Sequence, residues 1–321
     1  MNLPTGQAGP PVVSAIIPAY NAEDFIAETL DSVFAQTYRP LEIIVVDDGS
    51  TDRTAEVVKN YLQRNDNETN LRYIYQQNSG PSGARNSGIK SSTGKYVAFL
   101  DADDLWPEDK LSKQAGLMEL YPDVVLTFGD MRRFSKSKGI AESMFIRQKC
   151  TKEFFGDSFY VKDAYNKLLT RNFIPTGTVI IRKDFFQYSD LFDEYLRCVE
   201  DWDLWLRIAM HGTIAYSTDV WELKRDHENN VSNNIEVMKL SMLEVLKKHE
   251  KNFHSYIRKN NLNFKSHFCD GYYGLGLHYL EKGQKRNARE AFFKSLHYEI
   301  NIKSIFYLLI TFLYQNKKSY L

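Results

Sequence analysis

Residues 41–52 read LEIIVVDDGSTD, and this stretch decides the fold class. Its first seven residues form an apolar run that ends in two acids, a glycine and two hydroxyl residues. A strand with one wet face alternates apolar and polar positions. A continuous run is what a parallel strand covered on both faces needs. Gly49 permits a tight turn, and Ser50 or Thr51 is placed to cap the next helix. Turn chemistry leaves the adjacent acids Asp47 and Asp48 unexplained. A carboxylate there can accept hydrogen bonds from a base or a ribose.

Working outward, residues 12–18, 71–76, 95–101 and 124–128 read as strands of the same kind. Helical patterns separate them. Phe25, Ile26, Leu30, Val33 and Phe34 make one apolar face, with Asn21 as the expected cap, and a second helix is expected to start at Pro107, followed by acidic Glu108 and Asp109. Strand–helix alternation predicts an α/β fold with a parallel sheet, and such sheets bind ligands beyond the carboxyl ends of their strands. From 131 to 230 the pattern is mixed: a polar hairpin or loop at 135–139, a helix at 161–169, a strand at 178–182 and a helix at 202–211. From Asn234 onward only helices are expected. In that tail Tyr272, Leu275, Gly276 and Tyr279, then Ala288 and Phe292, have the spacing of a single tetratricopeptide-like helical hairpin, which one copy cannot extend into a solenoid.

The 321 residues include 41 Lys/Arg and 41 Asp/Glu, so there is no basic excess of the kind phosphate backbones require, and nucleic acid is not an expected partner. With 43% apolar residues the chain can bury a core. Charge is unevenly spread: residues 231–321 carry +8 and residues 1–230 carry −8. Cys150, Cys198 and Cys269 are dispersed, which fits a reducing compartment rather than a disulfide scaffold. Residues 1–11 read as a loose leader without a signal core. The apolar stretch 305–314 is about half the length of a spanning helix. A cytoplasmic location is expected. The Lys-flanked tail (Lys303, Lys317, Lys318) is a candidate for peripheral contact with the inner face of the membrane.

Several carboxylates stand where strands end. Asp101 and Asp103 are two apart on an extended segment, so they can converge, and hard oxygen ligands without a full cage suit Mg²⁺ or Mn²⁺. An acidic segment leading into the helix after Trp106 explains them equally well. Residues 80–88 (GPSGARNSG) form a small-residue loop leading toward a helix, where backbone N–H groups and Arg85 can approach a diphosphate. The loop matches neither common nucleotide-binding glycine pattern. Asp201 opens an amphipathic helix, either as its cap or as a general base. His227 precedes a polar loop, and a lone histidine is more often structural than a ligand.

Together VSAIIPAYN (13–21), VVDDGSTD (45–52), GARNSGI (83–89), FLDADD (99–104), VEDWDLWLR (199–207) and HENNVS (227–232) resemble family 2 glycosyltransferases of the GT-A, Rossmann-like fold. The likeness covers about 12–232, the helical region 233–321 lying outside it. It implies a nucleotide-sugar half at 12–130 and an acceptor half at 131–232. By that resemblance Pro18, Ala19, Tyr20, Asp48, Arg85, Asp101 and Ala102 would meet the donor. Asp103, with Asp101 and His227, would hold Mg²⁺ or Mn²⁺. Asp201 would be the catalytic base, supported by Glu200. The implied reaction is inverting transfer from a nucleotide sugar, UDP-linked by preference, to a glycan or lipid-linked acceptor. A nucleotidyltransferase would carry a basic Gly-rich loop near the N-terminus, whereas the first loop here is Pro18-Ala19-Tyr20-Asn21. A non-catalytic carbohydrate- or protein-binding module would not need the acid set.

Overall fold

A computed structural model describes residues 10–65, 68–135, 139–156, 158–196, 198–227 and 234–313. In chain order the elements are β1 (Val13–Ala19), α1 (Ile26–Phe34), β2 (Leu41–Asp47), α2 (Thr54–Tyr61), β3 (Thr69–Tyr75), α3 (Gly80–Ser91), β4 (Tyr96–Phe99), α4 (Lys110–Leu120), β5 (Val124–Ser135), β6 (Gly139–Ser143), α5 (Met144–Arg147), α6 (Lys152–Phe155), α7 (Ala164–Thr170), β7 (Ile180–Arg182), α8 (Glu200–His211) and β8 (Thr213–Arg225). Five helices follow: α9 (Ile235–Asn252), α10 (His254–Lys259), α11 (Phe264–Glu281), α12 (Lys285–Tyr298) and α13 (Ile302–Leu313). The chain divides into two compact units, Met1–Tyr195 with Glu200–His227, and Leu196–Val199 with Glu228–Leu321.

The first unit is built on one sheet in the order β3-β2-β1-β4-β7-β5-β6, with β8 also paired to β5. The four leading strands are parallel, as the apolar runs predict. β7 lies antiparallel between β4 and β5, so the sheet as a whole is mixed. All seven residues of β2 are buried, Glu42 among them. Glu42 tolerates burial because Ser14 Oγ (2.6 Å), the Thr93 N–H (2.8 Å) and Arg72 Nη1 (2.9 Å) all donate to it. Burial alone would raise its pKa, but these donors win and hold it below the usual carboxylate value.

Several local expectations shift. Asn21 does not cap α1. It sits at positive φ (48°), and its side chain accepts the Thr51 N–H at 2.8 Å. Ser50 does not cap α2 either, since its hydroxyl accepts the Asn21 N–H at 3.0 Å, and Asp52 accepts the Thr54 N–H instead (2.9 Å). The polar side chains thus lock the loops after β1 and β2 to each other. After Pro107, α4 begins at Lys110. β5 runs on through Ser135 and pairs with β6, a hairpin whose residues 136–138 lie outside those described. β8 is a thirteen-residue strand with no counterpart in the sequence reading.

Residues 80–88 are not a loop but most of α3, despite three glycines that disfavour helix, with Pro81 in the first turn where proline is accepted. Tertiary contacts override propensity. Asp48 accepts the Ser79 and Gly80 N–H groups (2.9 and 2.8 Å), satisfying donors at the helix start. Gly88 passes so close to β1 that a Cβ would lie 2.3 Å from Ile16 Cγ2.

In the second unit α11 and α12 form the hairpin that the tyrosine–glycine spacing predicts. A Cβ on Gly276 would strike the Phe292 ring at 2.6 Å, so the glycine sets the close approach. Tyr298 stacks on Phe268 with centroids 4.6 Å apart. Among the described residues no helix is long and apolar enough to cross a membrane. The leader residues 1–9 and the tail from Tyr314 lie outside the described residues.

Candidate active site

Several candidate residues of the first unit stand at the carboxyl ends of β1, β2 and β4, where a parallel sheet binds ligands. β1 ends in Pro18 and Ala19, followed by Tyr20, whose ring is exposed. β2 ends in Asp47 and Asp48, both buried. Asp47 accepts from the Ser50 N–H (2.8 Å) and the Tyr73 hydroxyl (2.5 Å). Asp48 also accepts from Gln76 Nε2 at 2.7 Å, so it anchors α3 whatever else it meets.

β4 leads into Asp101-Ala102-Asp103-Asp104. Ligand atoms of Asp101, Asp103 and Asp104 all lie within 4.8 Å of one another. The Ala102 carbonyl accepts from Thr29 Oγ1 (2.9 Å) and pins the turn to α1. From the other side β8 closes on it, because Leu105 and Leu223 exchange backbone hydrogen bonds of 3.0 and 2.9 Å. That clamp delivers the residues at the end of β8. His227 Nε2 lies 2.7 Å from Asp103 Oδ2, the ring stacked on Phe25. The Arg225 N–H donates to Asp104 Oδ1 at 2.7 Å, and Arg225 Nε donates to the Asp103 carbonyl at 2.8 Å.

Arg85 joins two groups of acids far apart in the chain. Its Nη2 donates to Asp101 Oδ1 and its Nη1 to Glu200 Oε1, both at 2.7 Å. Burial pulls its pKa down, but Asp101 and Glu200 outweigh that and raise it. Asp101 responds in kind: burial pushes its pKa up, and Arg85 and Lys224 bring it below the usual value. Asp104, fully buried, goes the other way. Desolvation, with Glu222 and its neighbouring aspartates, lifts its pKa well above the ordinary value despite Lys224.

Glu200 and Asp201 are the first two residues of α8, so Asp201 lies inside the helix rather than capping it. Its Oδ2 accepts from Thr176 Oγ1 (2.8 Å) and its Oδ1 from Asn172 Nδ2 (3.3 Å) and the Trp202 N–H (2.6 Å). Burial first, and the neighbouring Glu200 second, push its pKa up to about 6. The geometry thus unites Arg85, Asp101 and Glu200 by direct bonds and Asp103 with His227, while Asp201 is held separately by Thr176 and Asn172.

Four participants were missed from the sequence: Thr176, Asn172, Glu222 and Lys224. The signal for the last two was faint, a pair of opposite charges two apart in residues 220–225. Glu222 is buried, and among the described residues its Oε2 has no hydrogen-bond partner. Gly177 is shaped to it, for a Cβ there would sit 2.5 Å from the Glu222 carboxylate carbon.

A mixed α/β sheet with carboxylates at the ends of its parallel strands fits a GT-A transferase. The match to known proteins agrees. The model of glycosyl transferase family 2 fits residues 14–188, and the chain belongs to that family. It is 44% identical over 220 residues, 64% of this chain and 75% of the relative, to the putative teichuronic acid biosynthesis glycosyltransferase TuaG of Bacillus subtilis. Against a group of uncharacterized rickettsial glycosyltransferases the match spans between 27% and 66% of their length. Among solved structures, TarS 1–349 of S. aureus superposes with a TM-score of 0.62 at 21% identity, covering 89% of this chain and 80% of that one. The same TarS fragment has been solved with UDP and with UDP-GlcNAc. The mannosyltransferase PcManGT of Pyrobaculum calidifontis, in complex with GDP-Man and Mn²⁺, gives 0.61 at 18% identity, covering 96% and 81%.

Proposed function

We propose that the chain transfers a sugar from a nucleotide-sugar donor, UDP-linked by preference, to a hydroxyl of a glycan or lipid-linked acceptor, by single displacement with inversion. The observation that carries this reading is the Arg85 bridge from Asp101 to Glu200, which ties the strand-end carboxylates to the helix bearing Asp201. Residues 12–232 are the catalytic region in this reading, with 233–321 an extension. Pro18, Ala19 and the exposed Tyr20 ring flank the nucleoside, with Asp48 beneath them. Arg85, Asp101 and Ala102 line the diphosphate side.

The donor set suits Mg²⁺ or Mn²⁺: three carboxylates whose ligand atoms lie within 4.8 Å of one another, one of them, Asp104, costly to ionise even with Lys224 beside it. Asp103 and Asp101 would hold such an ion, with His227 as the further contact. When bound, a divalent cation neutralises charge growing on the leaving diphosphate. Asp201 accepts the proton of the attacking hydroxyl, and Thr176 and Asn172 fix its orientation. Glu200 keeps Arg85 in place and raises the basicity of Asp201. Calorimetric titration with UDP, GDP and TDP, with and without Mn²⁺, tests the donor site. Metal-dependent binding of UDP is expected, and no binding of any of the three by folded protein sinks the reading.

A base must be ionised to work. With Asp201 titrating at about 6, kcat/KM should hold near pH 7 and fall about tenfold per pH unit well below pH 6. A flat profile down to pH 4.5 would remove Asp201 from the role.

The protein acts on the cytoplasmic side in this reading, and α13 supplies its membrane contact. Ile302, Ile305, Phe306, Leu309 and Phe312 are exposed along one face at helical spacing, while Ser304, Leu308 and Thr311 are buried opposite. Exposed Lys303 flanks the apolar face, which suits an anionic lipid surface. Lys317 and Lys318 lie outside the described residues. The full chain should co-sediment with vesicles containing phosphatidylglycerol. The double variant Phe306→Glu, Leu309→Glu should not, and equal co-sedimentation of both proteins removes the membrane contact.

A further inference from the structure

The carboxylate cluster contains a resident cation. Glu222 and Lys224 are two apart on β8, so their side chains leave the same face of the strand. The backbone pairing of Leu105 with Leu223 sets that strand against residues 101–104. Lys224 Nζ lies 3.5 Å from Asp104 Oδ2 and 3.8 Å from Asp101 Oδ2, its side chain only 25% exposed. These are two of the three aspartates whose ligand atoms converge. The ammonium therefore sits within the same negative field that would draw in a divalent ion, and its strand keeps it there.

We propose that Lys224 is a tethered countercharge that competes with a divalent ion for Asp101 and Asp104. The protein alone then holds the ion weakly, and the ion enters with the donor diphosphate. The inference rests on the cation reading of the cluster given above. Asp101, Asp103, Asp104 and Glu222 crowd one small volume, where Lys224 and Arg85 supply positive charge beside the Arg225 and His227 contacts. A doubly charged ion at the aspartates lies a few ångströms from the ammonium and is repelled by it. A diphosphate adds negative charge that outweighs this repulsion and gives the ammonium a second anionic partner. Metal and nucleotide affinities are therefore coupled through Lys224, reciprocally.

Mn²⁺ binding to the full chain, followed by the electron paramagnetic resonance signal of the free ion with and without UDP, tests this. The parent should bind Mn²⁺ weakly alone and more tightly with UDP. Lys224→Met should bind Mn²⁺ alone about tenfold tighter or more, and UDP should add less to it. Lys224→Arg, which keeps the charge, should behave as the parent. A merely structural lysine would, on removal, weaken the site rather than tighten it. Equal or weaker Mn²⁺ binding by a folded Lys224→Met protein overturns the role of Lys224 and leaves the cation site standing. No Mn²⁺ binding by any of these proteins, with or without UDP, overturns both. If Lys224→Met does not fold, Lys224→Gln, which retains a hydrogen bond to the carboxylates, carries the same comparison.

Discussion

Asp201→Asn should leave UDP binding intact and lower turnover about a thousandfold, the scale a positioned general base supplies. The substitution keeps the shape of the side chain and an oxygen to accept from Thr176, which donates at 2.8 Å. It removes the capacity to take a proton, and with it the second acceptor oxygen that meets Asn172 Nδ2 and the Trp202 N–H. A stability signature accompanies the loss. The folded state raises the Asp201 pKa from 3.8 to about 6, so the ionised group costs stability once pH climbs through that window. The neutral variant escapes that cost but leaves two N–H donors without their acceptor, so its melting temperature relative to the parent should be higher at pH 7 than near pH 4. Full activity of a variant that binds UDP normally would strike Asp201 from the mechanism. Kinetics, calorimetry and melting curves on one preparation read all three effects.

The second large effect is on folding. Arg85→Met should destabilise the first unit by about 3–5 kcal/mol, because it leaves the Asp101 and Glu200 carboxylates without their shared partner. Arg85 is buried, and each of its two ion pairs measures 2.7 Å. Removal of one partner from such a pair costs more than the pair contributes net, since the remaining charges stay desolvated. Chemical denaturation at pH 7 measures it. A loss under about 1 kcal/mol would mean that water reaches Asp101 and Glu200 freely. Arg85→Lys should recover only part of the loss, for one ammonium cannot reproduce the two directed donors of the guanidinium.

The two predictions separate residues that look alike in sequence. Asp101 and Asp201 are both acids at the mouth of the sheet. Arg85 draws the first below its usual pKa, while burial and Glu200 push the second up. One stays a fixed anion, suited to cations, and the other gains the basicity that its proposed role requires near neutral pH. Bonding partners, not residue type, divide the labour.

The parallel strands β1 to β4, the acid-tipped strand ends and the helical tail were legible from residues alone. Apolar runs and helical spacing are local patterns, and a strand covered on both faces cannot hide its composition. The resemblance to family 2 glycosyltransferases likewise rested on short contiguous segments. What the sequence could not convey were features set by contacts across long separations. Helix α3 contradicts the propensity of its glycines, and it forms because Asp48 holds its start and Gly88 fits against β1. Asn21 and Ser50, each a plausible cap for its own helix, bond instead to each other's loop. The strand β8 carries Glu222 and Lys224 in a pattern typical of a solvated edge. Only its pairing with β5 and the clamp at Leu105 turn those charges inward, beside aspartates more than a hundred residues earlier. Sequence thus determined which chemical groups are available and which strands carry them. Tertiary structure decided which charges meet and which lose their water, because charge partners and burial arise from packing and not from order along the chain.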